Sequence, residues 1–161
     1  MPVIHLTTFI HAPVERVFDL GRSIDLHQTS MSHTSEKAIA GITKGLINEG
    51  ETVTWTAKHF FKTRMLKIKI TQMKPYDFFE DEMQEGDFKS MKHRHIFKPT
   101  QNGSLMTDEF SFETPYGFMG KVFSYVFLTA YMKALLMQRN RTIKEYAETG
   151  KWKTVLPQTH R

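Results

Sequence analysis

Between Glu36 and Thr114 the chain alternates apolar and polar residues with a period of two, and short turn signals such as "NEGE", "FFKT", "KPYD", "EGDF" and "PTQNG" interrupt the alternation. Successive strands joined by so few residues can only pair as antiparallel hairpins, because a parallel crossover needs a dozen residues or more. The alternation predicts strands at Glu36–Ala40, Gly45–Asn48 (short), Glu51–Phe60, Arg64–Lys74, Phe78–Gln84, Lys89–Lys98 and Leu105–Glu113, with one more at Val3–Ile10. A sheet with one apolar face must cover it. The one large candidate is a proline-free segment from about Phe118 to Ala147, which reads as a single long helix, apolar nearly all round in its first half. Two short helices follow the first strand: one in "HAPVERVFDLG", ended by Gly21, and one over Ser23–Thr29 with Ser23 as its N-cap. The expectation is an α+β chain in which a curved antiparallel sheet of about seven strands wraps one long C-terminal helix. Residues 1–149 form one domain, and 150–161 form an exposed tail.

The 161 residues suffice for one real core. The absence of cysteine removes disulfides, thiolate nucleophiles and cysteine-ligated metals. No apolar run is long enough to span a bilayer, and "MPVIHLTTFI" lacks the basic start and cleavage site of a secretory signal, which together suggest a cytoplasmic protein. The net charge of +5 raises the question of nucleic acid. No nucleic-acid motif, aromatic row or basic helical stripe accompanies it, so none is expected as a partner. Lys151, Trp152 and Lys153 in the tail allow a weak contact with an anionic membrane surface.

The resemblance lies in "IHAPVERVFDL", "GETVTWTAKHF", "FFEDEMQEGDFKSMKHRHIF", "MTDEFSFETPYGFMG" and "QRNRTIKEY", spread over nearly the whole chain. In these pieces the sequence resembles the SRPBCC superfamily, which joins START-related lipid carriers, birch-pollen-allergen-type proteins and polyketide cyclase/dehydrase-like proteins. It is most similar to the small bacterial ligand-binding members. The resemblance implies the helix-grip fold and a deep cavity between sheet and long helix that holds a hydrophobic small molecule. It carries over no catalytic set.

The stretch "SMKHRHIFKP" says more about that interior. On a strand His93 and His95 share a face with Met91 and Phe97, while Lys92, Arg94 and Lys98 point the other way. Closing the neighbouring hairpins sets Asp81 against His93, Phe79 against His95, Asp108 against His95 and Met106 against Phe97. One face then carries Phe79, Asp81, Met83, Met91, His93, His95, Phe97, Met106, Asp108 and Phe110. The hairpin at "FFKT" adds Trp55, Ala57 and His59, and the long helix contributes Val122, Phe123, Val126 and Tyr131 as the lid. The expectation is a polar island of Asp81, His93, His95 and Asp108 in an apolar pocket, since buried charges persist only when paired.

Three readings of the island stand: a network that fixes sheet register, a handle for the polar end of an amphipathic ligand, or an acid–base pair or metal site. His-x-His with flanking Asp suits zinc or iron in ligand type, but the spacing is a weak signal. No metal or other cofactor is expected. The leading expectation is therefore a non-catalytic binder or carrier of a hydrophobic small molecule. A cyclase/dehydrase-type enzyme comes second, and a domain whose cavity is filled by its own side chains third.

Overall fold

A computed structural model of the chain describes residues 2–115, 122 and 124–157. Seven strands form one antiparallel sheet: β1 (Val3–Ile10), β2 (Lys37–Gly41), β3 (Thr52–His59), β4 (Lys62–Lys74), β5 (Phe78–Glu85), β6 (Ser90–Thr100) and β7 (Gly103–Glu113). Their order is β1-β7-β6-β5-β4-β3-β2, so consecutive strands from β2 to β7 are neighbours and β1 closes on β7. Two short helices, α1 (Val14–Gly21) and α2 (Ile24–Ser30), follow β1, and Ser23 Oγ accepts the backbone N–H of Leu26 at the start of α2. A π-helical turn (Ser124–Leu128) leads into the long helix α3 (Thr129–Glu148). This is the helix-grip arrangement.

The registers follow the alternation. Asp81 pairs with His93 and Phe79 with His95 across β5–β6. His95 pairs with Asp108 and Phe97 with Met106 across β6–β7. On the outer face Arg94 sits between Glu80 and Glu109, and Lys92 opposite Glu82. Glu80 is buried there, with its carboxylate 3.2 Å from Lys92 Nζ.

Three expectations are corrected. Gly45–Asn48 is not a strand; only an isolated bridge, Ser23 to Leu46, forms there, while Arg22 binds the Ile47 carbonyl and the Asn48 side chain. The segment after Gly150 is not an exposed tail as far as Pro157. Gly150–Thr154 turns as a 3₁₀ helix, Trp152 and Leu156 are buried in the core, and the Arg16 guanidinium lies 4.3 Å over the Trp152 ring. Trp152 is therefore spent on packing and is not available to a membrane surface. The start of the long helix is also less buried than its composition suggests. Val122 is 48% exposed and Val126 69% exposed. They continue the solvent stripe of Ala130, Lys133 and Met137, spaced three to four residues apart, whereas Leu136, Arg139, Asn140, Ile143 and Ala147 face inward. A sequence apolar nearly all round conceals which face points in. Phe118 and Phe123 lie outside the described residues. No helix among the described residues is long and apolar enough to cross a membrane.

Candidate functional site: a cavity with a buried Asp/His/Arg/Asn cluster

The concave face of the sheet and the inward face of α3 enclose a cavity of about 640 Å³. This lies within the usual range for small-molecule sites. Among the described residues, side chains do not fill the interior completely. Trp55, Ala57, Ile68 and Ile70 line it from β3 and β4, and Phe79, Met91 and Phe110 from β5, β6 and β7. Leu128, Met132, Leu135 and Leu136 close the helix side. The exposed lining residues Phe60, Met65 and Phe127 mark its mouth. There His59 Nδ1 and Tyr131 Oη share a hydrogen bond of 2.6 Å, and the Phe60 ring sits 4.7 Å from that of Tyr131. Burial lowers the pKa of His59 and raises that of Tyr131, so neither carries charge at neutral pH. His27 also reaches the lining, 4.4 Å from Trp55 between ring centroids.

Away from the mouth, strand alternation and one helix face bring polar side chains together. His93 Nε2 lies 2.8 Å from Asp108 Oδ1, and His95 Nε2 lies 2.8 Å from Asp81 Oδ2. The two imidazoles lie 3.7 Å apart between centroids, and Phe79 stacks on His95 at 4.1 Å. From α3, Asn140 Nδ2 donates to Asp108 Oδ2 at 2.6 Å. Arg139 donates to the Gly21 carbonyl at 3.0 Å, to Asn140 Oδ1 at 3.1 Å and to His95 Nδ1 at 3.3 Å, and lies 3.5 Å from Asp108 Oδ1. Gly21 suits this close approach of α1: a Cβ there would sit 3.1 Å from the Phe97 ring.

His95 Nδ1 lies 3.3 Å from Arg139 and 3.4 Å from Asp108 Oδ1. A guanidinium only donates, so with Nδ1 accepting from Arg139 the Nε2–H goes to Asp81. Burial alone would raise the pKa of Asp108, but the hydrogen bond from His93 and the nearby charge of Arg139 hold it well below the carboxylate range. Burial also works against the ionised form of Asp81, yet its bond to His95 wins and its pKa falls. Burial, and then the neighbouring His95, push His93 down to about 4 against the support of Asp108. Two carboxylates thus face one guanidinium and a neutral His93.

Ligating atoms of Asp81, His93 and His95 lie within 4.8 Å of one another, so the residue types and spacing of a metal site are present. The wiring is that of a hydrogen-bond network instead. His95 Nε2 carries the proton that Asp81 accepts, because Arg139 occupies Nδ1 as a donor.

Of the residues expected at the site, Trp55, His59, Phe79, Asp81, Met91, His93, His95 and Phe110 line the cavity. Others do not. Phe97 packs against Phe18 of α1 at 5.2 Å, and Met106, fully buried, pairs with Phe97, because α1 fills that end of the concave face. Met83 is half-buried at the far end of β5. Val122 and Val126 face solvent. Asp108 is sealed beneath His93 and Asn140 and acts through them. Arg139 and Asn140 are additions. Their signal is the spacing Leu136, Arg139/Asn140, Ile143, Ala147, which marks one buried helix face despite its polar members.

The model of the family described as "Polyketide cyclase / dehydrase and lipid transport" matches residues 10–132. The chain belongs to this family. Its fold is the helix-grip fold of the SRPBCC superfamily, shared with solved structures of low sequence identity. The protein TTHA0849 from Thermus thermophilus is 16% identical, with a TM-score of 0.68 over 88% of this chain and 97% of that one. Major latex-like protein 151 from Panax ginseng is 16% identical, with a TM-score of 0.68 over 92% of this chain and 98% of that one. The di-domain ARO/CYC StfQ of the steffimycin biosynthetic pathway is 12% identical, with a TM-score of 0.73 over 91% of this chain and 50% of that one. At such identities the likeness is one of fold. No curated protein matches the chain.

Proposed function

We propose that this member of the polyketide cyclase/dehydrase and lipid transport family binds or carries a hydrophobic or amphipathic small molecule in the cavity beneath α3, with the Asp81/His93/His95/Arg139 cluster orienting the ligand's polar end. One observation supports this above the rest: a largely apolar cavity of about 640 Å³ contains, among its buried lining residues, a cluster of ionisable groups. Apolar walls supply affinity, and a few fixed polar groups supply orientation. Native mass spectrometry of the gently purified protein tests this. A non-covalently bound organic mass, lost on denaturation, is the expected result. Bare chain, together with no uptake of the neutral dye Nile red, would overturn the reading.

A cyclase/dehydrase-type reaction in the same cavity is favoured by one feature, the carboxylate-backed imidazole of His93. A pKa of about 4 makes that imidazole a poor proton acceptor at neutral pH, so binding ranks first. Turnover of a bound molecule that His93→Gln abolishes would reverse the order.

A further inference from the structure

His93 is wired on one side only. Its Nε2 faces Asp108 Oδ1 at 2.8 Å. Asp108 already accepts from Asn140 and lies 3.5 Å from Arg139, so it is the ionised acceptor and Nε2 carries the imidazole proton. Nδ1 is then a bare lone pair. It has no hydrogen-bond partner among the described residues, yet it is not one of the sealed polar atoms left without a partner. Because the His93 side chain is only 8% exposed and lines the cavity, what surface Nδ1 keeps opens onto the cavity.

Most other polar groups of the cluster are already engaged, Asp81 through Oδ2 alone. His95 uses both nitrogens, on Asp81 and Arg139. Arg139 is bound by Gly21, Asn140 and His95. Two carboxylates, one guanidinium and a neutral His93 make up the site. A carboxylate head has no hydrogen to offer His93 Nδ1 and meets the carboxylate of Asp81 in an apolar enclosure. An ammonium head has hydrogens to offer, but it would lose its hydration beside the Arg139 guanidinium. A neutral hydroxyl meets neither objection.

We infer that the cavity selects ligands whose polar end is an uncharged hydroxyl, phenolic or alcoholic, donating to His93 Nδ1, and discriminates against carboxylic acids of the same shape. This rests on the ligand-binding reading above and narrows it to a chemical class.

The test uses the intact protein loaded with Nile red and displaces the dye at pH 7 with four probes of one shape: 4-octylphenol, octylbenzene, 4-octylbenzoate and 4-octylbenzylamine. The phenol is expected to bind roughly tenfold more tightly than the hydrocarbon, the worth of one good buried hydrogen bond, and by a wider margin than the benzoate. In His93→Phe, which keeps a ring and removes the acceptor, the phenol and hydrocarbon affinities converge. Nitrogen-15 spectra of the wild-type imidazoles give an independent readout should that variant fail to fold. The unprotonated nitrogen of His93 shifts when the phenol binds and stays still with octylbenzene. Equal or tighter binding of the benzoate or the amine, or a His93 signal indifferent to the phenol, overturns the hydroxyl assignment while leaving cavity binding intact. Failure of Nile red and all four probes to bind overturns the binding reading itself.

Discussion

Asn140 Nδ2 donates to Asp108 Oδ2 across 2.6 Å and so ties the long helix to the sheet at a point where neither residue meets solvent. Through Asp108 the tie reaches His93, and through the neighbouring Arg139 it reaches His95 and the end of α1. One polar cluster thus joins β5, β6, β7, α1 and α3 around the cavity. Removing a partner from it strands buried polar groups. Asp108→Ala is expected to cost about 3–5 kcal/mol, since it leaves Arg139 and His93 without their carboxylate. Asn140→Ala should cost about 1.5–3 kcal/mol, the range for a hydrogen bond to a charged group. Urea denaturation at pH 7 measures both, and losses below about 0.5 kcal/mol, the scatter of an ordinary surface substitution, would show that the cluster does not hold helix to sheet.

His93 makes stability depend on pH in a defined window. The groups facing it are Asp108 from β7, Asp81 from β5, His95 on its own strand and Arg139 from α3. Its pKa falls from 6.5 unfolded to about 4 folded. Between those values the unfolded chain takes up a proton that the folded chain refuses. The stability due to neutral His93 is therefore complete above pH 6.5 and declines as pH falls toward 4, by about 3 kcal/mol in all. The lowered pKa values of Asp81 and Asp108 act lower still, where stability is lost as pH falls below the ordinary carboxylate value of 3.8. Urea midpoints from pH 7 to pH 4 should slope less steeply in His93→Phe than in the wild type, and parallel slopes would contradict the assignment.

The bond between His59 and Tyr131 joins the β3–β4 hairpin to α3 at the cavity mouth. Tyr131→Phe keeps the ring against Phe60 and removes only that bond. Stopped-flow release of Nile red is expected to be several-fold faster, with global stability lowered by no more than about 1 kcal/mol. Unchanged release would mean that ligands pass elsewhere.

Trp152 packs under Arg16 and belongs to the core. Trp152→Ala is expected to cost about 3 kcal/mol, as for other large aromatic truncations in a core. A cost near zero would return the segment after Gly150 to the solvent.

Strand alternation made the sheet and the gathering of Asp81, His93, His95 and Asp108 on one face legible in the sequence, because a period of two assigns each side chain to a face and short turns fix the register, but the hydrogen bonds run diagonally, His93 to Asp108 and His95 to Asp81, instead of between register partners. The same logic could not show that α1 would occupy one end of that face and take Phe97 and Met106 out of the cavity, since that follows from packing between distant segments. Around Val122 and Val126 the sequence is apolar nearly all round and so carries little phase, and the π-helical turn adds a local offset. Arg139 and Asn140 were hidden for the opposite reason. They are polar and buried, which only the satisfied cluster beneath them allows. Trp152 was misplaced because polar neighbours suggested a tail, where the packed ring of a single residue decides.

The central claim is that a small molecule sits between the sheet and α3. Methionine methyl groups report on it directly. Met91 and Met132 line the cavity, whereas Met106 is buried outside it and Met137 faces solvent. In a protein carrying labelled methionine methyls, addition of 4-octylphenol should give nuclear Overhauser contacts from the ligand to the Met91 and Met132 methyls and none to Met106 or Met137. Contacts confined to Met137, or a spectrum unchanged at saturating ligand, would contradict the account.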